Sequence, residues 1–187
     1  MLSMQVVDIN DYQKNRFVKR MITSMFNTIR TKQIAVLGFA FKADTGDTRE
    51  TPAIDVCRAL IDEDAVLRIY DPKVEADQIY RDLSLNKFEW DHPRLTSLRR
   101  VNSVVKTAVT RCESAMDAVA NSHAVAILTE WSEFKTLDWC AIYESMTKPA
   151  FLFDGRNILD HDKLREIGFV VYALGKPLDP FLCQTMP

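Results

Sequence analysis

Short runs rich in apolar residues alternate with amphipathic segments along most of this 187-residue chain, and that alternation limits the folds it can adopt. Each run is long enough for one strand, and the segments between the runs suit crossover helices. Strands joined in this way form right-handed crossovers. The sequence therefore predicts an α/β fold with a Rossmann-like, doubly wound and mainly parallel sheet. The six predicted strands are residues 34–37, 67–70, 104–109, 124–128, 150–153 and 170–174.

Start and stop signals place the helices between these strands. Thr51 and Pro52 stand where a helix cap and a first helical residue belong, and Gly168 suits a helix end. Residues 82–101 show no clear period and are predicted to be an irregular insertion. The tail from Pro177 onward is expected to be poorly ordered. The predicted helices cover residues 53–63, 113–121, 138–146 and 160–167.

A long amphipathic helix is predicted ahead of the sheet, from Asn10 to about Arg30. Asn10 and Gln13 resemble a capping box at its start. A helix in this position can pack on the core, join two domains or form the seam of a dimer. Its apolar stripe consists of Val18, Met21, Ile22, Met25, Phe26 and Ile29.

Composition excludes several classes of protein. The 24 basic and 26 acidic side chains give a net charge of −2, so no overall positive field would attract nucleic acid. No apolar run approaches the roughly 20 residues that cross a bilayer, and the N-terminus lacks the features of a signal peptide. The four cysteines and three histidines are scattered without metal-ligand spacing. We expect a cytoplasmic protein with reduced, mostly buried thiols and no metal.

Three predicted strands end in polar loops, and ligands of such sheets bind beyond the carboxyl ends of the strands. A dinucleotide fingerprint in the first of these loops would need glycine where Ala40 and Ala43 stand. Phe41 and Lys42 instead offer an aromatic ring and a cation. Arg49 and Arg156 could bind phosphate or carboxylate in a bidentate manner. The residues alone predict only a ligand-binding α/β domain, without a nucleophile constellation.

Five strings, taken in order, resemble motifs of the nucleotide-sugar dehydrogenase family. The loop after the first strand, LGFAFKADTGDTRE, is most similar to the animal-type branch that acts on UDP-glucose. Together the strings extend over about residues 5–175. They are Val7–Gln13, Leu37–Glu50, Ile69–Lys73, Thr129–Trp131 and Phe153–Arg156.

The resemblance implies a division of labour. In that family an N-terminal Rossmann domain binds NAD, a central helix joins the halves and builds a dimer, and a C-terminal domain binds the UDP part of the substrate. Residues 1–31 would then be the end of the central connecting and dimerisation helix, 32–176 the UDP-binding domain and 177–187 the tail. The resemblance also explains why the glycine fingerprint is missing, because NAD would be held mainly by the N-terminal domain, which this chain is expected to lack.

The resemblance also implies roles for individual residues. Phe41, Lys42 and Arg156 would bind the substrate, and Arg49 would reach across the cleft to NAD. The alternative for Arg49 is an ion pair with Glu50 or Asp47.

The family oxidises the sugar C6 hydroxyl twice, with two NAD, through a thiohemiacetal and a thioester on a cysteine. That cysteine is expected upstream of residue 1, so no catalytic residue is assigned in this chain, and the chain alone is expected to be inactive. Full-length relatives form dimers that assemble further, usually to hexamers in animals.

Three alternatives stay open. The chain could belong to a sister enzyme that acts on another nucleotide sugar, such as UDP-N-acetylmannosamine or GDP-mannose. It could be a binding or assembly module without chemistry, since fold does not fix function. The poorest alternative is an NAD-binding Rossmann domain with Asp71 on the ribose, because Ala40 and Ala43 argue against it.

Overall fold

A parallel sheet with helices on both faces forms the centre of the computed structural model, which describes residues 2–84, 104–176 and 179, with side chains from Tyr12 onward. The strands are β1 Gln33–Leu37, β2 Val66–Tyr70, β3 Val109–Arg111, β4 Ala124–Ile127, β5 Phe151–Asp154 and β6 Val170–Ala173. The helices are α1 Leu2–Ser24, α2 Pro52–Asp62, α3 Ala76–Ser84, α4 at residues 104–108, α5 Ala115–Val119, α6 Trp139–Ser145 and α7 His161–Ile167, with a 3₁₀ turn at Ser132–Lys135.

The six strands lie in the order β3-β2-β1-β4-β5-β6, and every pairing is parallel. The predicted doubly wound α/β fold is therefore confirmed. The chain moves outward in one direction from β1 to β3 and in the other from β4 to β6. The order reverses between β1 and β4, which is where ligands bind in folds of this kind.

The register brings four strand ends into one row. Leu37 lies opposite both Tyr70 and Ile127, and Ile127 lies opposite Asp154. The residues that follow these strands consequently start from the same edge of the sheet. Strands β4, β5 and β6 are buried along their whole length, as expected when helices cover both faces.

The third predicted strand is misplaced. Residues 104–108 are helical, and the strand is Val109–Arg111. Val105 and Val109 are buried while Val104 is exposed. Thr107, two residues after Val105, is exposed, so burial does not alternate with the strand period of two, and packing outweighs the β propensity of residues 104–108.

The first helix also differs from the prediction. It covers Leu2–Ser24, so Asn10 lies inside the helix rather than at a cap. Phe26 and Asn27 follow with positive φ, which ends the helix before Arg30. Phe26 is exposed, whereas the other predicted stripe residues are buried or packed against the core. No described helix is long and apolar enough to cross a membrane.

The predicted helix ends agree better. The Thr51 hydroxyl accepts a hydrogen bond from the Ala53 amide, Pro52 opens α2, and Gly168 ends α7 with φ +119°. Helix α3 had no predicted counterpart and covers the start of the expected irregular segment 82–101. The rest of that segment lies outside the described residues, as does the tail 177–187 apart from Asp179, which is buried.

Candidate functional site

The loop after β1 begins with a close approach to the loop after β4. Gly38 has φ +91°, and a Cβ placed on it would lie 2.5 Å from Cβ of Thr129. The Thr129 hydroxyl donates to the carbonyl oxygen of Ala40 at 2.7 Å. Only glycine allows this contact, so the two loops on either side of the sheet's reversal point are held together.

The same loop is anchored from below by Asp71, the residue after β2. Asp71 is fully buried, and one carboxylate oxygen accepts the amides of Phe39 at 2.7 Å and Ala40 at 2.9 Å. The Trp131 indole donates to the same oxygen at 3.1 Å. Asp71 therefore cannot face a ribose, which removes the alternative of an NAD-binding domain built on it.

Arg156, in the loop after β5, connects the other two loops. Its Nε donates to the carbonyl oxygen of Leu128 at 2.8 Å and lies 3.2 Å from the Glu130 carboxylate. Its Nη2 donates to the carbonyl oxygen of Phe41 at 3.0 Å. The side chain is about 30% exposed, so part of the guanidinium still faces the space above the sheet.

These loops, together with helices α1 and α2, border an open cavity of about 450 Å³ at the ends of β1, β4 and β5. The predicted residues Phe41, Lys42 and Arg156 all line it. Phe41 is about half exposed, so its ring is accessible to a ligand. The other lining residues are Gln13, Lys14, Phe17, Glu50, Pro52, Val56, Leu128, Glu130, Gly155 and Leu174.

The cavity combines an apolar floor with charges of both signs. Lys42 and Arg156 supply positive charge, and Glu50 and Glu130 supply negative charge at the wall. Guanidinium and ammonium groups bind phosphate oxygens, and an exposed aromatic ring can stack on a planar base. The arrangement therefore suits a ligand with both a planar apolar part and an anionic part.

Arg49 lies beside the cavity and not in its wall. Its Nε and Nη2 donate to the Asp47 carboxylate at 3.0 and 2.8 Å, and the guanidinium is about 88% exposed. The side-chain hydrogen bond from Arg49, together with one from the Arg49 backbone amide, lowers the pKa of Asp47 to about 2. The structure thus forms the local ion pair considered as the alternative for Arg49, although the exposed side chain could still turn toward a partner.

Residue-by-residue reasoning missed two parts of the site. Glu130 belongs to the Thr129–Trp131 string but was given no role. Gln13, Lys14 and Phe17 of α1 form one wall, and the Val7–Gln13 string was the only signal that this helix borders the site.

The described thiols lie outside the cavity wall. Burial raises the pKa of Cys57, and it raises the pKa of Cys112 to about 11. Cys57 and Cys112 are buried and Cys140 is exposed, so two of the three described cysteines agree with the expectation of mostly buried thiols. Among the described residues no cysteine lines the cavity, and no group of three potential metal ligands occurs.

Residues 35–161 match the family model described as the UDP-glucose/GDP-mannose dehydrogenase family, UDP binding domain. Among curated proteins, UDP-glucose 6-dehydrogenase 1 of Glycine max is 61% identical over 98% of this chain. UDP-glucose 6-dehydrogenase 4 of Arabidopsis thaliana is 58% identical over the same share. The chain spans 38% of the length of each of these relatives. Both are plant proteins, so they do not test the animal-type resemblance of the loop.

Solved structures share the fold at low sequence identity. An NDP-N-acetyl-D-galactosaminuronic acid dehydrogenase from Methanosarcina mazei Go1 superposes with a TM-score of 0.71 at 19% identity, covering 94% of this chain and 32% of that one. A UDP-glucose dehydrogenase from Pyrobaculum islandicum gives 0.60 at 23%, covering 91% and 31%. At these identities the likeness concerns the fold alone.

Proposed function

The chain belongs to the UDP-glucose/GDP-mannose dehydrogenase family, and we propose that residues 32–176 bind the UDP part of UDP-glucose for an NAD-dependent UDP-glucose 6-dehydrogenase. The whole enzyme would oxidise UDP-glucose to UDP-glucuronate. The names of the relatives that are about 60% identical support UDP-glucose over the sugars of sister enzymes.

One observation carries the proposal: Phe41, Lys42 and Arg156 line a single cavity where the strand order reverses. The Phe41 ring can stack on uracil, while Lys42 and Arg156 can neutralise the diphosphate. The volume of about 450 Å³ is within the range of sites for small ligands.

The loop after β1 does not fit the pyrophosphate of NAD. The amides of Phe39 and Ala40, which would face such a group, already donate to Asp71. Alanines at 40 and 43 also crowd the backbone where a dinucleotide needs glycine. We therefore assign NAD mainly to a separate domain of the enzyme, with Arg49 reaching it across the cleft from this one.

Residues 1–187 by themselves are proposed to bind nucleotide without oxidising it. The described thiols lie outside the cavity, and burial raises the pKa of Cys57 and Cys112, which disfavours the nucleophilic thiolate. Accumulation of NADH from the purified polypeptide with UDP-glucose and NAD would contradict this statement.

Helix α1 and its neighbours are proposed to contribute to a homo-oligomer, a dimer or a hexamer, of the whole enzyme. We place that enzyme in the cytoplasm, because Cys57 and Cys112 are buried free thiols that suit a reducing compartment.

The test is calorimetric titration of the chain with UDP, UDP-glucose and NAD. UDP and UDP-glucose should bind, and NAD should give no heat. Lys42→Ala and Arg156→Lys should each weaken UDP binding by about tenfold or more, because each disturbs a charge-assisted contact. Lys163→Ala and Arg30→Ala are matched controls, since both side chains are exposed and lie outside the cavity. Equal effects of all four variants, or no UDP binding by the unchanged chain, would refute the proposal.

A further inference from the structure

Two fully buried carboxylates lie at the carboxyl ends of strands β2 and β5, from which the loops of the site start. Asp71 follows β2 and Asp154 ends β5, and each is 0% exposed. A buried carboxylate is costly unless hydrogen bonds satisfy it. Most of the hydrogen-bond donors to each carboxylate are backbone amides, and they include amides of a loop that lines the cavity.

Asp71 organises the loops after β1, β2 and β4. Besides the Phe39 and Ala40 amides and the Trp131 indole on one oxygen, its other oxygen accepts the amides of Lys73 at 2.9 Å and Val74 at 3.0 Å. Five donors thus converge on one side chain. The amides of Phe39 and Ala40, which Asp71 holds, immediately precede Phe41 and Lys42 in the chain.

Asp154 does the same for the loop after β5. One oxygen accepts the Arg156 amide at 3.0 Å, and the other accepts the amides of Ile158 at 3.0 Å and Leu159 at 3.1 Å. Nε2 of His161, in α7, lies 2.9 Å from the second oxygen. The turn that presents Arg156 is therefore wrapped around this carboxylate.

The two arrangements are connected through Arg156. Its backbone is held by Asp154, and its side chain donates to the Phe41 carbonyl, in the loop held by Asp71. A shift of either loop would change the distance between Lys42 and Arg156. Both groups must meet the same ligand, so their separation matters for affinity.

We infer that Asp71 and Asp154 are positioning residues of the nucleotide site: each fixes the loop that presents a ligand contact, without touching the ligand. This inference rests on the proposed function for its ligand. The carboxylate is needed in both places because it is an acceptor at both oxygens. An asparagine would turn an NH₂ group toward amides that need an acceptor.

The test compares Asp71→Asn and Asp154→Asn with Asp179→Asn. Asp179 is also a buried aspartate, but it accepts from Arg165 and from the Val171 amide, away from the cavity. All three variants should be less stable in thermal unfolding. At a temperature where each is folded, the first two should bind UDP at least about tenfold more weakly, and Asp179→Asn should stay within about twofold of the unchanged chain.

Amide hydrogen exchange supplies a readout that does not need the ligand. Asp71→Asn should speed exchange at Phe39 and Ala40 and leave Ile158 and Leu159 slow, and Asp154→Asn should do the reverse. If the unchanged chain fails to bind UDP, the proposed function fails, while the exchange pattern still decides whether the carboxylates hold these loops. Equal loss of UDP affinity in all three variants, or exchange that rises evenly over the domain, would overturn the inference.

A second variant covers the case in which Asp71→Asn does not fold. Trp131→Phe removes one of the five donors and keeps the carboxylate. We expect a smaller loss of UDP affinity, about threefold, with faster exchange in the loop after β1. UDP affinity and loop exchange equal to those of the unchanged chain would count against the role of Asp71.

Discussion

Arg156 is the residue at which the walls of the cavity meet. Its guanidinium contacts carbonyl oxygens after β1 and β4, and it pairs with Glu130 at 3.2 Å. An incoming diphosphate would have to share this arginine with a carboxylate that lines the same cavity. Glu130 would therefore compete with an anionic ligand for Arg156 while also orienting the guanidinium.

Replacing Glu130 by glutamine should tighten UDP binding. The amide keeps the shape of the side chain but removes a negative charge beside the ligand phosphates, so we expect a gain of about two- to fivefold in affinity at low salt. Calorimetry at two salt concentrations checks this, since the gain should shrink as salt screens the charges. Glu144→Gln, on the exposed face of α6, is the control; weaker binding by Glu130→Gln would show that orientation dominates.

The pair between Arg49 and Asp47 gives a pH-dependent signal. The folded pKa of Asp47, about 2, is below the value of about 3.9 in an unfolded chain. The pair therefore contributes its stabilisation above about pH 4 and loses it as pH falls toward 2. NMR of the Asp47 carboxyl carbon should show a midpoint near 2, and Arg49→Ala should raise it toward 3.9. An unchanged midpoint in the variant would mean that Arg49 does not hold this carboxylate.

At the scale of elements, helix ends are fixed by contacts as well as by propensity. Gly168 ends α7 at φ +119°, and a Cβ there would lie 2.6 Å from the Tyr143 hydroxyl oxygen in α6. Its amide also donates to Leu164 and Arg165 carbonyls. The end of one helix thus sets how closely its neighbour packs.

Gly168→Ala should lower the free energy of unfolding by about 2–4 kcal/mol, because it combines backbone strain with a steric clash. Gly175→Ala is the matched control. It also has positive φ, +75°, but nothing lies within 4 Å of the added Cβ, so we expect a loss of about 1 kcal/mol. Chemical denaturation measures the free energy of unfolding of both variants. Equal losses would mean that the Tyr143 side chain moves away from the added Cβ without an energetic penalty.

At the scale of the whole molecule, α1 packs on the sheet and borders the cavity. Phe17 is buried, lies edge-to-face with Phe153 at a centroid distance of 6.4 Å, and contacts Tyr172 at 6.2 Å. It also lies 3.6 Å from the position of a Cβ on Gly155. One aromatic side chain thus connects the helix, β5 and the loop of Arg156.

Phe17→Ala should cost about 3–5 kcal/mol of unfolding free energy through the cavity it leaves. UDP affinity should fall as well, because Phe17 is part of the cavity wall formed by α1. Phe26→Ala is the control, since Phe26 is about half exposed beyond the end of α1. Chemical denaturation measures the free energy of unfolding of both variants, and calorimetry measures their UDP affinity. Full stability of Phe17→Ala would contradict this prediction.

Strand and helix periods are local signals, and they predicted five of the six strands. Phe41, Lys42 and Arg156 line the cavity at the strand ends, and their roles toward a ligand stay predictions. The sequence pattern failed where tertiary packing determined the secondary structure. Val105 lies in helix α4 despite its β propensity, and α1 includes Asn10. The donors that surround Asp71 are backbone amides from separate loops, which no side-chain pattern can reveal.

The walls of the cavity come from residues 13–17, 41–56, 128–130, 155–156 and 174. No stretch of chain contains the site, and the central strands β1 and β4 have to pair before its loops face each other. A partly folded domain would therefore lack the assembled site, and a ligand could not stabilise it. If the proposed nucleotide binds, it would stabilise only the fully folded domain. We would then expect the nucleotide to slow proteolysis of all six strands together.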